Sequence, residues 1–190
     1  IEAYGHDVNI PRRYGVDQCV GDTFGPGGIF RGLRSIKALG EIAEDMHRLC
    51  PDALLLQYAN PMAINSHATS LLGIDNIGLC HSVQGTTMML AREMGLPYEK
   101  CSFVSAGLNH QAWLLEFTCD GVDVMPLLRK TMLDKHLSGA DRGEEADELH
   151  AGGSERVRTE IMRLTGYFQT ESSAHASEYL PWFRKNPEMV

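Results

Sequence analysis

Three short stretches place polar, chemically capable residues where an apolar run stops. They are Asn60 in "LLLQYANPM", Cys80-His81 in "NIGLCHSVQG" and Asn109-His110 in "AGLNHQAW". A thiolate and a neutral imidazole form a usable pair of metal ligands, and two protein ligands leave positions open for a substrate. Each residue alone also fits a bland role, since an unpaired cysteine packs as a small hydrophobe and a lone histidine is commonly a satisfied structural group. Taken together at strand ends they point to a site, because open parallel sheets gather ligands outside the carboxyl ends of their strands. By softness alone, a Cys/His pair favours Zn²⁺.

Other signals are weaker. "GPGGIFRG" (25–32) reads first as a flexible turn into a helix and second as backbone N–H groups for an anion. No GxGxxG follows a strand, no GxSxG elbow occurs, and no carboxylate pair for ordinary glycoside hydrolysis stands out from the loops and polar helix faces.

The elements that must hold these groups follow from hydrophobic spacing. Residues 1–31, rich in Gly, Pro and Asp, read as a loop. Leu33, Ile36, Leu39, Ile42, Ala43, Met46 and Leu49 recur every three to four positions, predicting a helix over 32–50. "PDALLLQYANP" is a continuous apolar run between breakers, the signature of a strand buried on both faces. A helix over 62–72, a strand at "NIGLC" and a helix over 82–94 follow, which makes the fold class α/β with a parallel sheet. After residue 100, "CSFVSAGLNHQAWLLEFTCDGVDV" reads as two or three strands with Asp120-Gly121 as a hairpin turn. Helices are predicted over 126–137 and 154–165, with a solvated loop between them. The tail "TESSAHASEYLPWFRKNP" shows no clear period.

Composition narrows the classes of function. The 190 residues carry 25 acidic and 17 basic side chains, a formal net charge of −8, with no Lys/Arg-rich run. That argues against a nucleic-acid partner or an anionic membrane surface, and no apolar run is long enough to span a bilayer. Five cysteines without CxxC spacing suit a reducing cytoplasm. Ile1 at the start and "RKNPEMV" at the end read as cuts, so a segment of a longer protein is expected.

"GDTFGPGGIFRGLRSI", "NPMAINSHA", "GLCHSVQGT", "GLNHQAW" and "TESSAHASEYLPWF" resemble glycoside hydrolase family 4, and within it the α-galactosidase and α-galacturonidase branch. The resemblance implies a Rossmann-like NAD-binding portion over 1–100 whose Gly-rich fingerprint is missing, and the start of a substrate domain like that of lactate and malate dehydrogenases over 101–190. It implies NAD and a divalent metal, Mn²⁺, held by Cys80 and His110. Asn60 contacts the sugar near the nicotinamide, and Asn109 is a second sugar contact. His81 stands where relatives place a general acid, and Tyr179 where they place the proton-abstracting base.

The implied reaction oxidises the sugar at C3, removes the C2 proton, expels the group on C1, adds water and returns the hydride. A tyrosine that ionises near pH 10 needs a nearby cation to act as that base, and a divalent ion supplies one. Two other readings compete: an NAD-dependent 2-hydroxyacid dehydrogenase of the same fold, and a non-enzymatic structural metal module. Expected partners are a small glycoside and, in a homo-oligomer, a second copy. Trp182 and Phe183 are candidates for that contact, although core burial competes. For a uronic acid substrate, Arg31, Arg34 and Arg184 are the available cations.

Overall fold

The computed structural model describes residues 2–138 and 155–186, so the solvated loop expected over 138–153 lies, apart from Ser138, outside the described residues. The chain divides into two compact units, Ile1–Cys80 and His81–Val190, and the division falls on the peptide bond after Cys80.

The first unit contains α1 (Glu2–Arg13), α2 (Gly25–Leu49), β1 (Leu55–Gln57), α3 (Met62–Leu71) and β2 (Asn76–Gly78). The loop expected over 1–31 is largely helix. Pro11 lies within α1 and Gly5 near its start, residues that depress helix propensity, and tertiary docking outweighs them. That docking runs through Gln18, a buried side chain whose Nε2 donates to the Asp7 carbonyl at 2.8 Å and whose Oε1 accepts from Gly27 N–H at 3.0 Å. The Gly27 amide is therefore engaged, and "GPGG" forms the first turn of α2 with Phe24 at the N-cap, in place of a flexible turn or an anion cradle. A Cβ on Gly27 would collide with the Gly21 carbonyl oxygen, so the glycine is there for close approach.

β1 and β2 pair in parallel, with Leu55, Leu56 and Gln57 opposite Asn76, Ile77 and Gly78. The expectation of two-sided burial is not met. Leu56 is 57% exposed and Ile77 46%, because α3 covers one face of this two-stranded ribbon and no described element of the unit covers the other. Asn60 and Cys80 both follow the carboxyl ends of these strands.

The second unit contains α4 (Ser82–Glu93), β3 (Cys101–Leu108), β4 (Gln111–Cys119), β5 (Val122–Asp123), α5 (Met125–Ser138), α6 (Arg156–Thr165), β6 (Phe168–Gln169) and α7 (Ser173–Tyr179). Its sheet is antiparallel, with β4 paired to β3, β5 and β6. The pairing slips between Val104 and Ser105, which leaves Leu115 as an extra residue on β4. The bulge explains why Leu114 and Phe117, three apart, both point into the core formed with Leu90, Leu128, Met132, Met162 and Phe168. Asp120-Gly121 turns β4 into β5 as expected, with both residues at positive φ.

The β3–β4 hairpin turns on two residues, Asn109 and His110, since Leu108 pairs with Gln111. These residues therefore sit at a hairpin tip, where the sequence suggested the carboxyl end of a parallel strand; a run of strand-like residues does not reveal its pairing direction. Gly107 makes the tip possible. Its φ is 143°, and a Cβ there would collide with the Gln111 carbonyl oxygen. Gly107→Ala is expected to destabilise this unit by about 1–3 kcal/mol from backbone strain alone, read as a lower denaturant midpoint.

A candidate metal-binding site on the hairpin tip and the first turn of α4

The second unit builds its polar centre from three elements. The hairpin tip presents His110, which is buried. α4 starts at Ser82 with its side chain turned inward. The chain leaving β6 continues the ladder for one residue, Thr170 N–H donating to the Ala112 carbonyl at 2.9 Å, and then delivers Glu171. The Glu171 carboxylate is buried and held from two sides. Ser82 Oγ donates to Oε2 at 2.7 Å, and Ser172 N–H donates to Oε1 at 3.0 Å. His110 Nε2 stands 3.5 Å from Oε2.

α7 supplies the other wall. Ser172 caps it by accepting from His175 N–H. His175 and Tyr179, four residues apart, lie on one helical face. The Tyr179 hydroxyl is 2.9 Å from His175 Nδ1 and 3.4 Å from His110 Nδ1, and the His110 and His175 rings lie tilted at 36° with centroids 4.5 Å apart. His175 Nε2 in turn lies 4.0 Å from Glu171 Oε1. Beneath this wall, buried Arg158 fixes the backbone. Its Nη1 donates to Thr86 Oγ1 at 2.9 Å and to the Glu171 carbonyl at 3.2 Å, its guanidinium pairs with Glu155, and it lies over the Phe168 ring. Thr86 Oγ1 itself donates to the Thr170 carbonyl at 2.7 Å.

Cys80 is the residue on the joint, two positions before Ser82. Within the second unit, the His110 imidazole and the Glu171 carboxylate, a borderline and a hard donor 3.5 Å apart, fit a divalent ion. All five cysteines are free thiols. Cys101 offers no competing site: burial and the neighbouring Cys119 thiol push its pKa up to about 11, so it stays a neutral thiol at physiological pH.

Of the residues singled out in the sequence, His110 and Tyr179 come together here, and Cys80 is the last residue of the first unit. Asn109 shares the hairpin tip, and its buried Oδ1 has no hydrogen-bond partner among the described residues. His81 is the exposed N-cap residue of α4. Asn60 belongs to the first unit, where its amide donates to Asp22 at 3.0 Å and its carbonyl accepts from Arg31 Nε at 3.0 Å. Trp182 is 62% exposed, against the expectation of core burial. Sequence reasoning missed Glu171, His175 and Ser82. The signal was the Glu171, His175, Tyr179 spacing of four and four within "TESSAHASEY", hidden because α7 has only seven residues.

Comparison with known proteins gives a consistent outcome. A model described as family 4 glycosyl hydrolase matches residues 2–96, and one described as the C-terminal domain of family 4 glycosyl hydrolases matches residues 105–190. The chain is 42% identical over 187 residues to an alpha-galactosidase of Bacillus subtilis, covering 97% of this chain and 40% of that protein. It is 30% identical over 194 residues to an alpha-galacturonidase of Thermoanaerobacter italicus, covering 97% and 43%. The crystal structure of lplD from Bacillus subtilis superposes with a TM-score of 0.83 at 30% identity, over 99% of this chain and 45% of that one. The fold is shared with a 6-phospho-beta glucosidase from Thermotoga maritima, solved with manganese, NAD⁺ and glucose-6-phosphate, at a TM-score of 0.65 and 18% identity over 94% and 38%. The chain spans about two fifths of the length of the curated relatives it matches. Neither the dehydrogenase nor the structural metal module is favoured by these likenesses.

Proposed function

Since the chain belongs to the family 4 glycosyl hydrolases, we propose that it forms part of a glycosidase acting on α-galactosides or α-galacturonides through NAD-mediated oxidation at C3, elimination across C1 and C2, water addition and re-reduction. The observation that supports this reading is the Tyr179 hydroxyl 3.4 Å from His110 Nδ1, which sets the candidate base beside a candidate metal ligand. When bound, NAD⁺ supplies the hydride acceptor and a divalent ion, Mn²⁺, supplies positive charge for the sugar oxygens.

In this proposal Cys80 Sγ and His110 hold the ion. Tyr179 takes the C2 proton, and His175 Nδ1, hydrogen-bonded to its hydroxyl, is placed to accept that proton onward. Asn109 directs its unpartnered carbonyl oxygen to a sugar hydroxyl. His81, exposed at the start of α4, donates a proton to the leaving group. Asn60 contacts the sugar and the nicotinamide from the end of β1. Residues 1–100 act as part of the dinucleotide-binding portion and 101–190 as part of the substrate portion, a reading supported by the break between the two family matches at 96 and 105. The five free thiols support a reducing location, the cytoplasm, and no described helix is long and apolar enough to cross a membrane. The exposed Trp182 supports a contact between copies in a homo-oligomer.

The test is hydrolysis of nitrophenyl α-galactoside and α-galacturonide by a polypeptide of the relatives' length that contains this sequence, omitting NAD⁺, Mn²⁺ or reductant in turn. Activity is expected to vanish without NAD⁺ or Mn²⁺ and to fade without reductant as the Cys80 thiolate oxidises. Hydrolysis that survives the removal of NAD⁺ overturns the proposed mechanism. A faster rate on one substrate assigns the sugar.

A further inference from the structure

Resting on that reading, we propose that Glu171 is a third protein ligand of the divalent ion, alongside Cys80 and His110. Two donors on one ion, each bonded at about 2.1 Å, stand about 3.0 Å apart in octahedral and about 3.4 Å apart in tetrahedral geometry. His110 Nε2 and Glu171 Oε2 are separated by 3.5 Å, which matches shared coordination and is long for a direct hydrogen bond. The carboxylate is buried, so its charge requires compensation. Its hydrogen bonds leave room for an ion. Ser82 Oγ occupies one lone pair of Oε2 and Ser172 N–H one of Oε1, and each oxygen has a second. A hydroxyl that fixes the orientation of a ligating carboxylate is the usual outer support of a metal site.

The third ligand also accounts for the choice of metal. A thiolate and an imidazole alone favour Zn²⁺, whereas a carboxylate oxygen suits Mn²⁺ and tolerates the open, higher-coordinate shell that sugar oxygens enter. Glu171 thus shifts the donor set from soft toward mixed. Ser82 lies two residues beyond Cys80, so one short segment supplies both the thiolate and the group that orients the carboxylate.

The experiment titrates the metal-free polypeptide, of the relatives' length, with Mn²⁺ alone and with Zn²⁺ alone. Free Mn²⁺ is read from its electron paramagnetic resonance signal, and Zn²⁺ from competition with a chromophoric chelator. Glu171→Gln is expected to weaken Mn²⁺ binding by about 100-fold or more, beyond what an outer-sphere partner contributes, and to weaken Zn²⁺ binding at least tenfold less. A smaller Mn²⁺ loss overturns the proposal. An equal loss for both metals overturns the part of the proposal that assigns the choice of metal to Glu171. Should Glu171→Gln fail to fold by circular dichroism, Ser82→Ala decides: Mn²⁺ binding about tenfold weaker supports ligation, and unchanged binding overturns it. Wild-type protein that binds no divalent ion, or binds it equally well as Cys80→Ser, sinks the underlying metal reading instead.

Discussion

Tyr179→Phe is expected to lower kcat by about 10²–10⁴-fold, the range for a positioned acid or base, while leaving Mn²⁺ affinity unchanged. The substitution removes one oxygen and keeps the ring that lies 6.5 Å from His110, nearly parallel to it at 8°. A hydroxyl that merely buttressed His110 would give a different outcome. His110 would lose its orientation, and metal binding would weaken together with turnover. The two roles separate further in the isotope effect on a substrate deuterated at C2, which should rise in Tyr179→Phe as proton removal becomes the slow step. Turnover and the isotope effect both unchanged would place the base elsewhere, with His175 the next group in contact.

The second large effect is on stability. Arg158→Met is expected to cost about 3–5 kcal/mol, the range for stripping one partner from a buried pair, with the lower end favoured because Glu155 retains some access to water. Loss of the guanidinium also leaves the Thr86 hydroxyl and the Glu171 carbonyl each without a buried donor. Arg158→Lys should recover little of this. An ammonium cannot reproduce the planar fork that meets Glu155 through Nε and Nη2 while Nη1 serves Thr86. Denaturant midpoints of the three proteins, with Mn²⁺ affinity measured in parallel, check the expectation. A Lys variant as stable as wild type would mean that charge alone matters. Because Arg158 holds the carbonyl of Glu171, metal binding should weaken along with the fold.

Much of the architecture was legible because its signals are local. The α2 stripe, the α3 and α4 patterns, the two parallel strands and the Asp120-Gly121 turn each show their signal within one continuous segment. What escaped depends on contacts distant in sequence. α1 owes its helix to docking through Gln18 in spite of Pro11. The tip at Asn109-His110 needs the close approach of Gly107 to the Gln111 carbonyl, which the side-chain pattern does not reveal. The site divides in the same way. Cys80, His110 and Tyr179 stood out through their motifs, whereas Glu171 looked like one more acidic residue until Ser82, 89 positions earlier, was seen to hold it. Arg158 gave no sign in the sequence, since a buried cation reads like any exposed one.

His110 occupies half of a two-residue turn, and this constrains the evolution of the hairpin. A residue inserted into most surface turns adds slack. Here it would change the turn type and swing the imidazole toward a different side of the strand pair, whose faces alternate with every residue. Deletion does the same in the opposite sense. Homologues that keep the ion should therefore keep the span from Gly107 to Gln111 at fixed length, while the strands beyond it lengthen or shorten freely. The tip works as a gauge whose only tolerated reading is the present one.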